Sequence, residues 1–182
     1  MALSTADEVN DAEWDRQRQP SAGVVLKAQI LLDRARASPG EIDGKMGENT
    51  RKPLRAFRRM HGLQSGERLD QQVWRMLTQG SSNLALVAYI ITEKDVAGPF
   101  TEVIPDDYRA KAQLKELGYT SPAELLAERF HMSQDLLRRL NPDADFGRAG
   151  QEIMVASVAL ADRYRVRKKR PGDSSLSRNG RK

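Results

Sequence analysis

A regular apolar face followed by a glycine-marked turn is the feature that most constrains this sequence. The apolar side chains recur at helical spacing and lie on one face of an amphipathic helix. They are Val24, Ala28, Leu31, Leu32 and Ala35. Pro39-Gly40 predicts the end of that helix. Asp43-Gly44 predicts a turn, and Gly47 offers a second position where positive φ is accessible.

Two further helices are predicted after the turn. Thr50 is the predicted N-cap of the first, because its hydroxyl can accept from a free backbone N–H. His61-Gly62 predicts its end, with the glycine at the C′ position. Leu69-Asp70 opens the other helix. Three helices this short bury only a small core, so Phe57 and Trp74 are expected to form much of it.

This layout resembles the three-helix peptidoglycan-binding domain that is appended to many bacterial cell-wall enzymes. The matching elements are the Ile42-Asp43-Gly44 turn, Gly47, Thr50, Phe57 and Leu69-Asp70. The resemblance covers about a third of the chain, residues 20–80, and implies a wall-anchoring module. It also implies that ligand contacts come from polar groups of the turn. The candidate residues there are Asp43, Gly44, Gly47 and Thr50.

A stripe of cations follows on the second helix. It comprises Arg51, Lys52, Arg55, Arg58 and Arg59. Arginine suits bidentate pairing with carboxylates, so Arg51 and Arg55 are candidates to bind peptidoglycan stem peptides. A solvated helix face is the alternative interpretation. Asp43 likewise has two possible roles, binding glycan hydroxyls or holding its own turn together.

Residues 84–158 predict a second module with strand, helix, helix and strand in that order. Ser121-Pro122 begins one helix, with Glu124 in capping-box spacing, and Ser133 caps the next. The predicted strands are Leu84 to Thr92 and Gln151 to Val155, and a further helix is predicted at Ala110 to Leu117. Asn141-Pro142 ends the last helix.

The spacing of this second module resembles a LysM-type fold. The matching string is Ala127-x-x-Phe130-x-x-Ser133-x-x-Leu136-Leu137-x-x-Leu140-Asn141-Pro142. Such modules bind glycans that contain N-acetylglucosamine, so Asn141 is a candidate to face a sugar, with a helix stop as the alternative role. Glu93-Lys94-Asp95 stands where the family has a glycine-aspartate-threonine loop, and an insertion to about Gly118 follows. A spacer role is therefore an alternative to glycan binding.

The order of the two modules resembles the N-terminal part of a secreted L,D-transpeptidase. Two further strings carry that resemblance, Tyr89-x-Ile91-Thr92-x-x-Asp95-Val96-Ala97-Gly98-Pro99-Phe100 and Leu117-Gly118-Tyr119-Thr120-Ser121. In that family a catalytic domain with an essential cysteine comes next. This sequence contains no cysteine, which excludes a thiol nucleophile and cysteine-ligated metals. We therefore expect no transpeptidase activity, no catalytic residue, no cofactor and no metal.

Both ends of the chain are expected to be disordered: an N-terminal arm at 1–19 and a basic tail at 159–182. Trp14 stands alone in the polar arm, and it either docks onto the first module or has no role. Residues 163–182 carry +8 and the whole chain +5, so residues 1–162 carry −3. The tail has few apolar residues, which favours disorder. Either it attaches to anionic polymers electrostatically, or it is a truncation product without function.

The sequence thus predicts a mainly α fold with a small α+β part. It would contain a three-helix peptidoglycan-binding domain, a LysM-like βααβ module and disordered termini. The expected function is a monomeric, non-catalytic peptidoglycan-binding protein, the targeting half of a truncated L,D-transpeptidase. One alternative is a piece of a split murein L,D-transpeptidase that acts in cell-wall cross-linking. The other is a non-specific nucleic-acid binder using the basic tail, although no motif for specific nucleic-acid recognition is present.

Location is the least constrained expectation. No run is long enough for a membrane-spanning helix, and no secretory signal is visible at the polar N-terminus. The family resemblance implies the periplasm or cell envelope, whereas the missing signal leaves cytoplasmic retention as the alternative.

Overall fold

The computed structural model of the protein describes residues 6–37, 40–79, 84–101, 118–158 and 166–167. This part of the chain contains seven helices and a small antiparallel sheet, which confirms the mainly α fold class. The helices are α1 (Ala6–Asn10), α2 (Ala22–Arg34), α3 (Glu48–Met60), α4 (Gln71–Thr78), α5 (Glu93–Val96), α6 (Pro122–Arg129) and α7 (Gln134–Leu140). The strands are β1 (Leu86–Ile90), β2 (Glu152–Ala156) and β3 (Val166–Arg167). Within the described ranges, no helix is both long and apolar enough to cross a membrane.

Helices α2, α3 and α4 enclose the first of two hydrophobic cores, which we call the helical core. Its buried side chains are Ala12, Val24, Ala28, Leu31, Leu32, Ala37, Leu54, Phe57, Leu69, Val73, Trp74 and Leu77. Phe57 and Trp74 are only 2% and 5% exposed. The prediction that these two aromatic residues lie in the core is confirmed. They are the largest side chains of the cluster, so they contribute much of its buried apolar area.

Hydrogen bonds at the helix ends explain where α3 ends and where α4 begins. Gly62 has φ +63, and the Leu63 amide donates to the Arg58 carbonyl at 2.9 Å, which ends α3 in a Schellman motif. The prediction of Gly62 at the C′ position is therefore confirmed. Asp70 caps α4 by accepting from the Val73 amide at 2.9 Å.

The start of α3 differs from the prediction. The N-cap is Gly47, and Thr50 is the third residue of the helix. The Thr50 hydroxyl instead donates to the Lys45 carbonyl at 2.7 Å, so it is engaged in the preceding loop and cannot cap. Positive φ is accessible to both glycines of the turn, but only Gly44 adopts it, with φ +73, whereas Gly47 has φ −129.

The sheet is centred on β1. Strand β2 pairs with it antiparallel, from Leu86 opposite Ala156 to Ile90 opposite Glu152. Strand β3 pairs with its other edge, so the strand order is β2-β1-β3. Ser121 and Ser133 cap α6 and α7 as predicted, each accepting from a backbone amide one turn ahead. The predicted order of strand, helix, helix and strand is present, with the short helix α5 directly after β1.

The second cluster of buried side chains, which we call the mixed core, joins the sheet to helices from both halves of the chain. Its members are Val9, Leu26, Ile30, Ile42, Ala85, Leu86, Val87, Tyr89, Ile91, Ala123, Leu126, Ala127, Phe130, Met132, Leu136, Leu137, Phe146, Ile153, Val155, Ala156 and Val158. Leu26 and Ile30 belong to α2, whose other apolar side chains fill the helical core. Helix α2 is therefore shared by the two cores.

Polar contacts join the halves at the same place. The Ile42 amide donates to the His131 carbonyl at 2.7 Å, and the Ser133 amide donates to the Ile42 carbonyl at 2.9 Å. The His131 ring nitrogen Nδ1 lies 2.9 Å from Asp33 Oδ1 on α2. The two modules predicted on either side of residues 80–84 are therefore packed against each other.

The expectation of a disordered arm at residues 1–19 is wrong for residues 6–19, which the structure describes. Helix α1 lies in this segment, and Val9 is fully buried in the mixed core. The Asn10 side chain bonds both the carbonyl and the amide of Leu86, at 3.1 and 2.8 Å. Lys27 donates to the carbonyls of Asn10 and Ala12, both at 2.8 Å. Buried apolar side chains, Val9 in the mixed core and Ala12 in the helical core, together with satisfied polar groups thus anchor the segment.

Several predictions fall outside the described residues. These are the helix at 110–117, Pro39 of the helix stop and most of the basic tail at 159–182. Of the tail, only Val166–Arg167 is described, and this dipeptide forms β3 rather than being disordered. Strand β1 is shorter than the predicted Leu84 to Thr92, since its ladder ends at Ile90.

Ile30→Ala should destabilise both halves together, because Ile30 is fully buried at the shared helix. Truncating a buried isoleucine costs about 2–5 kcal/mol. Thermal unfolding followed by Trp74 fluorescence and by the amide signals of Val87 and Val155 should give one coincident, lowered transition. Ile90→Ala, at a position 40% exposed, is the matched control and should change little. Two separate transitions would show that the halves fold independently.

Candidate functional site

The loop before α3 is built around a buried glutamine from α2. Gln29 is 2% exposed, and its amide nitrogen donates to Asp43 Oδ1 at 2.8 Å and to Thr50 Oγ1 at 2.9 Å. Its amide oxygen accepts from the Gly44 amide at 2.8 Å. A buried amide needs such partners, and here both of its ends have them. Sequence reasoning missed Gln29, although it is the one polar side chain in the apolar run from Ala28 to Leu32.

Asp43 holds this loop together through both carboxylate oxygens. Besides the bond from Gln29, Oδ1 accepts from the Lys45 amide at 2.8 Å, and Oδ2 accepts from the Asn49 side chain at 3.1 Å. Of the two roles that the sequence left open for Asp43, these contacts are those of a residue that stabilises its own turn.

The loop also lies against the second half of the chain. A Cβ added at Gly44 would be 3.7 Å from Leu136 Cδ1 of α7, and Arg139 donates to the Asp43 carbonyl at 3.0 Å. Thr50 is fully buried, so a ligand cannot reach it in this conformation. Gly44 serves the turn, and Gly47 begins α3. The four candidates of the turn are therefore brought together as scaffold.

Asn141 has an equally complete set of structural contacts. Its amide nitrogen donates to the carbonyls of Leu137 and Met154, both at 2.9 Å. Its amide oxygen accepts from the Met154 amide at 2.6 Å. The side chain thus ties the end of α7 to strand β2, which extends the predicted role as a helix stop.

The cationic stripe on α3 divides into one buried and four exposed side chains. Arg58 is 6% exposed, and its guanidinium donates to the carbonyls of Gln64 and Arg68 at 3.1 and 3.0 Å and pairs with Asp70. Arg58 therefore fixes the segment between α3 and α4. Burial raises the pKa of Asp70, but hydrogen bonds from the Val73 amide and Arg58 outweigh it, so that pKa lies below its ordinary value.

Three of the exposed cations line an open groove of about 580 Å³ between α3 and the segment that follows it. This cationic groove is lined by Lys52, Arg55, Ala56, Arg59, Gly62, Leu63, Ser65 and Gly66. The helix supplies the charges, and the far wall has small residues that leave room for a ligand. Arg51 is exposed but is not part of the lining.

The charges in the cationic groove are only partly compensated. Arg55 pairs with Glu67 at 2.5 Å and with Glu48 at 3.8 Å, and Lys52 lies 4.0 Å from Glu48. Arg59 forms no ion pair with any of the residues that the structure describes. A guanidinium in this situation is suited to bind an anionic group, above all a carboxylate.

A buried polar cluster follows β1, at the position where Glu93-Lys94-Asp95 departs from the LysM pattern. Asp95 is 1% exposed and accepts from the Tyr89 hydroxyl at 2.6 Å and from the Thr92 amide and hydroxyl, both at 2.8 Å. Arg129 of α6 pairs with Asp95 and donates to the Tyr89 hydroxyl at 3.1 Å. The cluster therefore pins α5 and α6 to β1.

The protonation of this cluster follows from its contacts. Burial raises the pKa of Asp95, but the hydrogen bonds from Tyr89, Thr92 and Arg129 lower it by more, so the net shift is downward. Burial, together with the neighbouring Asp95 carboxylate, raises the pKa of Tyr89 to about 12. Asp95 is thus ionised and Tyr89 neutral at neutral pH, as their hydrogen bonds require.

Asp95→Asn should lower the free energy of unfolding by about 3 kcal/mol at neutral pH, because it removes one partner of a buried pair. The pKa of Asp95 is depressed on folding, so its contribution is present above the unfolded pKa of about 3.9 and is lost as the pH falls through the folded value. Urea unfolding from about pH 6 to about pH 3 should therefore show a smaller acid-dependent loss in the variant than in the wild type.

Asp143→Asn is the matched control for this substitution, since Asp143 is exposed. It should keep both the neutral-pH stability and the acid-dependent loss of the wild type. If the free energy of unfolding of Asp95→Asn falls with pH in parallel with that of the wild type, Asp95 is not the ionised buried partner described above.

No model of a known protein family matches this sequence, and no curated protein matches it. Within the described ranges, no group of three or more histidine, aspartate or glutamate side chains is placed to hold a metal ion. The groove lined by Lys52, Arg55 and Arg59 is the feature on which we base a proposed function.

Proposed function

We propose that the protein is a non-catalytic peptidoglycan-binding protein of the cell envelope. In this proposal the cationic groove receives the carboxylates of the stem peptides. The observation that carries it is the alignment of Lys52, Arg55 and Arg59 along one open groove, with Arg59 lacking an ion pair within the described part of the chain. The resemblance of residues 20–80 to peptidoglycan-binding domains supports the same class of ligand.

The ion pairs already present in the groove do not prevent binding. Arg55 and Glu67 have side chains that are 47% and 45% exposed, and exposed pairs contribute only about 0–1 kcal/mol. A ligand carboxylate can therefore compete for Arg55 while Arg59 supplies a second contact. Residues 1–162 carry a net −3, so attraction comes from the local groove charges rather than from the overall charge of that part.

Arg59→Ala should weaken binding to insoluble peptidoglycan roughly five-fold, as expected from the loss of about 1 kcal/mol of charge-assisted contact. Co-sedimentation across a range of peptidoglycan concentrations measures this change. Arg148→Ala removes the same charge from an exposed position outside the groove and should sediment like the wild type. Peptidoglycan whose stem peptides have been removed by an amidase should abolish the difference between the two variants. Equal losses in both variants would mean that the groove is not the binding site.

Removal of residues 168–182 distinguishes this proposal from nucleic-acid binding through the tail. These residues carry six lysine or arginine side chains against one aspartate. Their deletion should abolish retention on heparin or DNA and leave peptidoglycan binding unchanged at physiological salt, because contacts that depend only on net charge are screened and strongly salt-dependent. Loss of peptidoglycan binding at every salt concentration would identify the tail as the anchor.

A further inference from the structure

A second groove, of about 620 Å³, lies on the helical part between the segment after α1 and helix α4. We call it the tryptophan groove. It is lined by Trp14 and Arg16 on one side and by Gln72, Arg75, Met76 and Gln79 on the other. Its volume lies within the range of roughly 300–1,000 Å³ that is usual for ligand sites. None of these residues takes part in the cationic groove.

The backbone that carries Trp14 is held firmly. Ala12 is buried in the helical core, and the Lys27 ammonium donates to the carbonyls of Asn10 and Ala12. The Trp14 ring itself packs against the helical core but is only half-buried. An aromatic ring fixed in this way offers a rigid apolar surface to a ligand at little cost in side-chain entropy.

Four of the polar side chains around the ring have no hydrogen-bond or ion-pair partner within the described part of the chain. The side-chain amides of Gln72 and Gln79 form no hydrogen bond with the residues that the structure describes, and Arg16 and Arg75 form no ion pair with them. The one carboxylate at the edge, Asp70, is already occupied by the Val73 amide and Arg58. The groove therefore presents an aromatic face, neutral amides and free guanidinium donors.

This combination matches the chemistry of an N-acetylated sugar. A pyranose ring has a face of C–H groups, slightly positive, that packs on the negative face of an indole. Its hydroxyl and acetamido groups both donate and accept hydrogen bonds, as glutamine amides do. Guanidinium groups donate to acetamido and lactyl oxygens. We infer that the tryptophan groove binds the glycan strand of peptidoglycan, an inference that rests on the proposed function.

The two grooves are placed to divide one ligand between them. Asp70 lines the tryptophan groove, while its partner Arg58 lies beside Gly66 of the cationic groove, 3.8 Å from a Cβ added there. The Arg58–Asp70 pair thus lies between the grooves. The glycan strand occupies one side, and the stem peptides that branch from it reach the cations on the other.

The test is a fluorescence titration of the full chain with peptide-free oligomers of N-acetylglucosamine and N-acetylmuramic acid. Trp74 is 5% exposed, so a saturable change reports on Trp14. Arg75→Ala keeps Trp14 as the fluorescent reporter and should weaken binding of the oligomers roughly five-fold, which corresponds to about 1 kcal/mol. Trp14→Ala should weaken binding of the same oligomers at least roughly ten-fold by calorimetry, whereas Trp14→Phe, which keeps an aromatic face, should retain most of it.

Tyr119→Ala is the matched control, since Tyr119 is an aromatic side chain that is 38% exposed outside the groove. It should bind the oligomers like the wild type. If Trp14→Ala lowers the melting temperature, its weaker binding has a structural cause, and the result with Arg75→Ala decides whether the tryptophan groove binds the oligomers. The inference about the tryptophan groove alone would be overturned by two results together. The oligomers would give no saturable response, and Trp14→Ala would sediment with whole peptidoglycan like the wild type. Failure of the wild type to sediment with peptidoglycan would overturn the proposed function, whatever the oligomers do.

Discussion

Helix α2 has to satisfy two hydrophobic cores at once, and the arrangement of the described chain follows from that requirement. Leu26 and Ile30 face the mixed core, whereas Ala28 and Leu32 face the helical core. An ordinary surface helix buries one stripe and exposes the other. Here ten of the thirteen residues of α2 are buried, and only Ala22, Lys27 and Arg34 are partly exposed, so the helix is stable only when both halves pack on it. The bonds between Ile42 and the segment around His131 close the same interface.

This shared helix also decides which residues are free to bind a ligand. Gln29, on α2, organises the loop before α3, and the loop in turn contacts α7. The turn residues on which the family resemblance rests therefore make structural contacts within the fold. Side chains on the outer face of α3 and around Trp14 do not take part in these contacts. The proposed binding surfaces are therefore held in place by the turn residues but consist of other side chains.

Local signals predicted much of this fold, because helix ends depend on neighbouring residues. The caps at Ser121 and Ser133 and the stop at Gly62 depend on atoms within one turn. The burial of Arg58 could not be read in the same way. By residue type it equals Arg55 and Arg59, and it differs only because the carbonyls of a later segment surround it. The burial of Val9 likewise depends on long-range packing rather than on local sequence, and a disordered arm was predicted instead.

Rigidity gives two weak grooves a value that neither has alone. An exposed ion pair contributes at most about 1 kcal/mol, which is too little for useful affinity at a single site. Peptidoglycan is a repeating polymer, so a second contact on the same strand becomes intramolecular, and the combined affinity rises without any new interaction. That gain is largest when the distance between the two contacts matches the spacing of their partners on the strand. In the proposed binding mode, the Arg58–Asp70 pair and the helical core would hold that distance, so the stability of the fold and the proposed wall binding would depend on the same packing.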